Sequence, residues 1–245
     1  MTTLALYLIP VPIAENALHT IPPYVQETAR RLEVFIVERA KTARHFIKSI
    51  GPERPLPELV FVEMPQHETD VANKRSAADN EAEQTFLQAI KAGKDVGLLS
   101  EAGCPGVADP GAHIVALAHR KGVKVVPLVG PSSLLLALMA SGMNGQKFAF
   151  HGYLSAKRPE LAADLRRLEN QARQQNQTQL FIETPYRSQM VVEVALETLQ
   201  PGTIFGLAQD LTGEGELLRS LPVRDWKKEK PVLGKLPCVF MVGGG

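Results

Sequence analysis

Short apolar runs alternate along this chain with longer stretches in which apolar residues return every three or four positions. Leu4 to Ile9, Val34 to Val37, Leu59 to Val62, Val96 to Leu99 and Val123 to Leu128 are almost unbroken apolar runs. That is the pattern of strands covered on both faces. The stretches between them read as helices. One spans about Pro22 to Arg31, with proline suited to its first turn. Another spans Ala40 to Ile50, with Gly51 as its stop. A third runs from a cap at Asp79 to about Ala92, and a fourth spans Pro110 to Arg120. An apolar helix follows Ser133 and ends near Ser141. The polar segment from Pro65 to Ala78 has no apolar period and reads as a surface loop. Strand and helix in alternation imply parallel βαβ units with helices on the sheet.

A second series follows Gly142 to Gln146, which reads as a linker. Phe148 to Leu154, Leu180 to Glu183, Ile204 to Ala208, Leu217 to Leu221 and Cys238 to Val242 are strand-like, and Glu160 to Gln174 and Ser188 to Leu199 are helix-like. This series ends in successive strands, so its sheet is expected to be mixed. The fold class is therefore α/β in two domains, residues 1–142 with a parallel sheet and residues 143–245 with a mixed one.

Composition narrows the classes of function. The chain has 245 residues, 44% hydrophobic and 22% charged, as in soluble globular proteins. A formal net charge of +1 excludes an overall strongly basic protein but leaves room for a local basic cleft. Cys104 and Cys238 provide neither a disulfide framework nor a metal cluster, as expected in the reducing cytoplasm. The N-terminus lacks the charged start and apolar core of a signal peptide. The longest apolar stretch, Leu134 to Ala140, is too short to cross a bilayer, so no membrane partner is expected.

The candidate chemistry lies in loops after three of the strands. Ser100 to Gly111 crowds glycines, prolines and two carboxylates, Glu101 and Asp109, behind Val96 to Leu99. Such a backbone turns sharply and can approach a ligand closely, and ligands of open α/β sheets bind outside the carboxyl ends of the strands. Asp109 also suits the N-cap of a helix with Pro110 at its first position. Pro10-Val11-Pro12-Ile13 makes a rigid turn that either ends its strand or walls a cleft. Gly130-Pro131-Ser132-Ser133 opens onto a helix N-terminus, where Ser132 or Ser133 can cap and free N–H groups can hold an anion. Neither a Walker loop nor a G-x-G-x-x-G loop is present. Histidine spacing does not fit a zinc hydrolase, and no G-x-S-x-G elbow occurs. His67-Glu68 is either a proton-transfer pair or a solvated surface pair. Cys104 has no identifiable partner base and reads as a small apolar residue.

Taken together, these loops resemble the tetrapyrrole methylase superfamily of S-adenosyl-L-methionine-dependent methyltransferases, and most of all its branch that methylates a cytidine 2′-hydroxyl of small-subunit ribosomal RNA. The branch pattern S-D-A-G-T-P-x-x-S-D-P-G is matched from Ser100 to Gly111. L-Y-x-x-P-T-P-I is matched from Leu6 to Ile13, and P-G-P-S-A from Val129 to Ser133. E-S-P-x-R is similar to Glu183-Thr184-Pro185-Tyr186-Arg187, and E-L-T-K to Asp210-Leu211-Thr212-Gly213. E-D-T-R-x-T is partly matched from Glu38 to Arg44. The chain departs from the branch at Ala14-Glu15, where the branch loop continues I-G-N, and at Gly213, where the branch has lysine.

The resemblance implies a homodimer with S-adenosyl-L-methionine held in a cleft between the two domains. It assigns the cofactor to Pro12, Ser100, Ala102, Gly103, Val107, Pro131 and Ser132, with Thr184 and Leu211 from the second domain. A hydroxyl acceptor also needs positioning and a general base, for which Glu101, Asp109, His67 and Glu68 are the candidates. An RNA acceptor would meet Arg39, Arg44, Lys74, Arg75 and Arg187 through its phosphates. The alternatives are a methyltransferase acting on a tetrapyrrole or another small molecule, and a non-catalytic cofactor-binding protein.

Overall fold

In the computed structural model, residues 4–64 and 77–244 are described. Their contacts divide into two compact units, Met1–Pro131 and Ser132–Gly245. In the first unit the order is β1 (Ala5–Leu8), α1 (Pro23–Arg30), β2 (Val34–Val37), α2 (Ala40–Ile50), β3 (Val60–Glu63), α3 (Ala77–Lys91), β4 (Val96–Leu99), α4 (Ala112–Arg120) and β5 (Lys124–Pro127). The strands form one sheet in the order β3-β2-β4-β1-β5, and every pairing in it is parallel.

The apolar runs are explained by two cores, one on each face of this sheet. Along β2, Phe35 and Val37 pack with α1 and α2 residues such as Val25, Phe46 and Ile47. Val34 and Ile36 pack with Phe86, Leu98 and Ile114 from the other side. Successive strand residues point to opposite faces, so a sheet covered twice demands apolar residues at every position.

The second unit contains α5 (Ser133–Ala140), β6 (Phe148–Tyr153), α6 (Arg158–Gln175), β7 (Thr178–Glu183), α7 (Ser188–Thr198), β8 (Ile204–Gln209), β9 (Leu217–Pro222), α8 (Val223–Trp226) and β10 (Cys238–Gly243). Its sheet order is β6-β7-β10-β8-β9. Only β6 and β7 pair in parallel; β10 runs antiparallel to both β7 and β8, and β8 to β9. The sheet is mixed, as the succession of strands implied. Phe240 on central β10 stacks between Phe181 on β7 and Phe205 on β8, with ring centroids 5.3 and 5.8 Å away. Leu161, Leu165 and Leu168 of α6 and Val191 and Ala195 of α7 close the core over these rings.

Three boundaries differ from the sequence reading. The units divide at Pro131, not at residue 142, because apolar α5 packs against β10. Helix α3 begins at Ala77, so Asp79 lies within its first turn rather than ahead of it. Helix α4 begins at Ala112 behind Gly111, whose φ of 124° redirects the chain, and no side chain caps it. Asp109 is therefore not the cap expected of it, and its carboxyl serves elsewhere. Among the described residues, no helix is long and apolar enough to cross a membrane.

Candidate functional site

Strands β4, β1 and β5 are neighbours in a parallel sheet, so their carboxyl ends share one edge. The loops leaving that edge are fastened to one another. Val11 and Gly103 exchange two main-chain hydrogen bonds, with the Val11 N–H donating to the Gly103 carbonyl at 2.9 Å and the Gly103 N–H to Val11 at 3.1 Å. The Cys104 thiol donates to the Pro131 carbonyl at 3.4 Å. Gly130 lies so close to Pro10 that a Cβ on it would stand 2.3 Å from the proline ring. Tyr24 on α1 receives the Val129 N–H at 3.1 Å.

Pro12, Ser100, Ala102, Gly103 and Pro131 are thereby brought onto one edge, and Val107 lies on the outer part of the same Ser100–Gly111 loop. Ser100 and Gly103 are buried, whereas Ala102 and Val107 face solvent. The Ser100 hydroxyl donates to the Ala102 carbonyl at 3.2 Å and closes the turn. Ala108 takes a φ of 64°, left-handed without being glycine. Such strain persists only where the surroundings hold it.

The carboxylates of this edge form a cluster that sequence spacing did not reveal. Glu38, at the end of β2, accepts the Glu101 main-chain N–H at 2.8 Å. The Arg39 Nε approaches the Glu101 carboxylate at 3.3 Å. Asp109 is half-buried, and its pKa is raised to about 7 by burial first, then by the charges of Glu38 and Glu101, against a Ser100 hydrogen bond that lowers it. Burial also raises Glu38. The Cys104 thiol is pushed up by burial and by Asp109, so it is held as a thiol and not as a nucleophilic thiolate. Glu38 stood within a motif match, but only the tertiary contact gives it a role. Glu101 is exposed and ion-paired, so of these two base candidates Asp109 is the one poised to exchange a proton near neutrality. His67, Glu68, Lys74 and Arg75 lie outside the described residues.

In the second unit, Ser132 is the N-cap of α5, accepting the Leu135 N–H at 3.5 Å. Thr184 follows β7 and Leu211 follows β8, and these strands run parallel to each other on either side of β10. Both residues therefore sit at the same end of that sheet. Buried Glu183 accepts the Thr184 N–H at 2.6 Å and pairs with Arg187, whose guanidinium is thus committed to neutralising a buried carboxylate. Asp210 and Thr212 on either side of Leu211 have φ values of 51° and 69°. The Thr212 hydroxyl is buried and has no hydrogen-bond partner among the described residues. Gly213, where the resembling branch carries lysine, has a local cause: a Cβ there would meet the Asp210 carboxylate at 2.2 Å. That carboxylate accepts the Gly215 N–H at 2.9 Å.

In the first unit, fastened loops with close backbone fit a ligand held by main-chain groups. Residues 5–226 match the family model described as Tetrapyrrole (Corrin/Porphyrin) Methylases. The chain is 30% identical to the ribosomal RNA small subunit methyltransferase I of Pseudomonas aeruginosa, over 100% of this chain and 80% of that protein. It is 29% identical to the protein of that name from Bacillus subtilis, over 97% of this chain and 75% of the relative. Among solved structures, the methyltransferase CobJ aligns with a TM-score of 0.60 at 17% identity, covering 100% of this chain and 95% of that one. A uroporphyrin III C-methyl transferase from Thermus thermophilus aligns with a TM-score of 0.57, also at 17% identity, covering 98% and 97%.

Proposed function

We propose, given that this chain belongs to the tetrapyrrole (corrin/porphyrin) methylase family, that it transfers a methyl group from S-adenosyl-L-methionine to the 2′-hydroxyl of a cytidine in small-subunit ribosomal RNA. The observation carrying this reading is the fastening of the β1, β4 and β5 exit loops into one cradle around Gly103 and Gly130. Support for the acceptor comes from relatives named for ribosomal RNA methylation that align over most of their length.

When bound, S-adenosyl-L-methionine supplies a methyl on a sulfonium, which leaves its bonding pair on sulfur as an acceptor oxygen takes the methyl. Ser100, Ala102, Gly103, Val107 and Pro131, with Pro12 behind them, would hold the cofactor through the loop backbone. Ser132, Thr184 and Leu211 are the contributions proposed for the second unit. Asp109 would take the hydroxyl proton as general base, because a carboxyl titrating near 7 is matched to that task at neutral pH. Glu38 would hold the Glu101 peptide and so the entry of the loop. Arg39 and Arg44 would meet RNA phosphates. Free thiols at Cys104 and Cys238 agree with a cytoplasmic setting, and the family resemblance supports a homodimer.

The decisive experiment supplies labelled S-adenosyl-L-methionine with small-subunit ribosomal RNA, with porphyrinoid precursors and with cell extract. Label in a cytidine ribose is expected. Label only in a porphyrinoid would replace RNA by a tetrapyrrole acceptor, and cofactor binding without turnover on any extract component would make the protein a binding module. Calorimetry with S-adenosylhomocysteine tests the cradle separately.

A further inference from the structure

Helix α2 leaves β2 at the edge that carries the cradle loops and carries no acidic residue from Ala40 to Ile50. Its buried face is Ala43, Phe46, Ile47 and Ile50. Its solvent face presents Lys41, Arg44 and Lys48, all exposed. These positions are three and four residues apart and so fall on one side of the helix. Among the described residues none of the three forms an ion pair; Arg44 instead lies over the Phe61 ring, 5.1 Å from its centroid. Some exposed cations elsewhere are matched by acids, as Arg158 is by Glu193 and Glu197 and Arg54 by Glu33 and Glu58, whereas exposed Arg120, Lys121 and Lys124 form no ion pair among the described residues either. What sets α2 apart is that its basic stripe starts at the edge that carries the cradle loops.

The charges at the N-terminal end work against the helix, whereas Lys48 in the last turn favours it. Arg39 is the N-cap and Lys41 lies in the first turn, which contains no acid. The positive end of a helix disfavours cations by about 0.3–1 kcal/mol each. The free N–H of Ala40 is met by the Glu63 carboxylate from β3, at 2.6 Å, and that restores part of what the first turn lacks. Unpaired Lys41 in the first turn breaks this local rule, and such departures point to function.

We propose that the Lys41, Arg44 and Lys48 face of α2 is an RNA-docking surface that holds the phosphate backbone of the methyl acceptor. The stripe is about 10 Å long at about 1.5 Å per residue. Phosphates of one strand repeat about every 3.4 Å along a duplex axis, so about three fit the stripe. Arg39, paired with Glu101, joins its N-terminal end to the cradle loops, so RNA on α2 is led toward the loop edge. A mixed face of alternating sign would suit a protein partner; a face of one sign with no acid suits a polyanion. The inference rests on the RNA acceptor reading above.

The test measures binding of a small-subunit ribosomal RNA fragment to the full chain and to the triple variant Lys41→Glu, Arg44→Glu, Lys48→Glu over a range of salt. A second triple variant, Arg120→Glu, Lys121→Glu, Lys124→Glu, makes the same change in net charge at the opposite end of the sheet. Loss of about three phosphate contacts should lower the slope of log K against log salt by about 2–3 and weaken binding at least about tenfold at low salt. The second variant should bind as the parent does, and S-adenosylhomocysteine affinity should be unchanged in both. Parental affinity and slope in the α2 variant, or an equal loss in the other, overturns the proposal while leaving RNA methylation by the parent intact. A parent that neither binds nor methylates the RNA removes the acceptor reading and the docking surface together.

Discussion

Replacing Asp109 by asparagine should stabilise the protein by an amount that grows as pH rises from about 4 to about 7. Its pKa rises from 3.8 to about 7 on folding, chiefly by burial and then by the charge of Glu38. Between those values the folded state binds a proton that the unfolded state does not. Stability therefore falls as pH rises through this window and is level above it. A rise from 3.8 to about 7 corresponds to about 4 kcal/mol, at about 1.36 kcal/mol for each tenfold change in proton affinity. The half-exposed carboxyl is screened by water, which reduces the expected penalty to about 1–2 kcal/mol. The asparagine amide would keep an acceptor for Ser100 and carry no charge. Urea unfolding at intervals from pH 5 to pH 8 measures the difference. Asp109→Asn should be more stable than wild type by about 1–2 kcal/mol at pH 8 and by roughly a third of that at pH 5, while methyl transfer to a hydroxyl is lost. A stability difference independent of pH, or a variant less stable at pH 8, would refute the electrostatic account of this cluster.

Other substitutions probe the cradle and its supports. Gly130→Ala forces a Cβ to 2.3 Å from Pro10 and should cost about 1–3 kcal/mol, as overpacking does, with weaker S-adenosylhomocysteine binding by calorimetry. Glu38→Ala removes the acceptor of the Glu101 N–H and should cost about 1–3 kcal/mol in urea unfolding, whereas Glu38→Gln keeps an acceptor and should retain cofactor affinity. Gly213→Lys should displace the Asp210 carboxylate and cost about 1 kcal/mol in the same assay, through loss of its hydrogen bond to Gly215. Phe240→Ala empties the centre of the three-ring stack and should cost about 3–5 kcal/mol, read as a large fall in the unfolding midpoint.

Local pattern was enough for the alternation of strands and helices, the parallel first sheet and the mixed second one. A strand such as Val34 to Val37, apolar at every position, can be satisfied only by cores on both faces. The loops Ser100–Gly111 and Gly130–Ser133 were legible too, because glycine and proline leave few backbone alternatives. Less was legible where a residue had two plausible uses. Asp109 before a proline looked like a cap, but Gly111 turns the chain past it, and the carboxyl is instead buried within reach of the Glu38 charge.

The sequence by itself determined the elements, the family and the identity of the loops gathered at the carboxyl edge of the first sheet, since each depends on residues near one another in the chain. Tertiary structure alone decided that Glu38 reaches the Glu101 peptide 63 positions away, that Asp109 titrates near neutrality, and that the cations of α2 stand without an ion pair among the described residues. It also decided that Gly213 yields its space to Asp210. Hydrogen bonding, burial and charge act through distance in space, and a linear pattern does not record which distant groups share a solvent-poor corner.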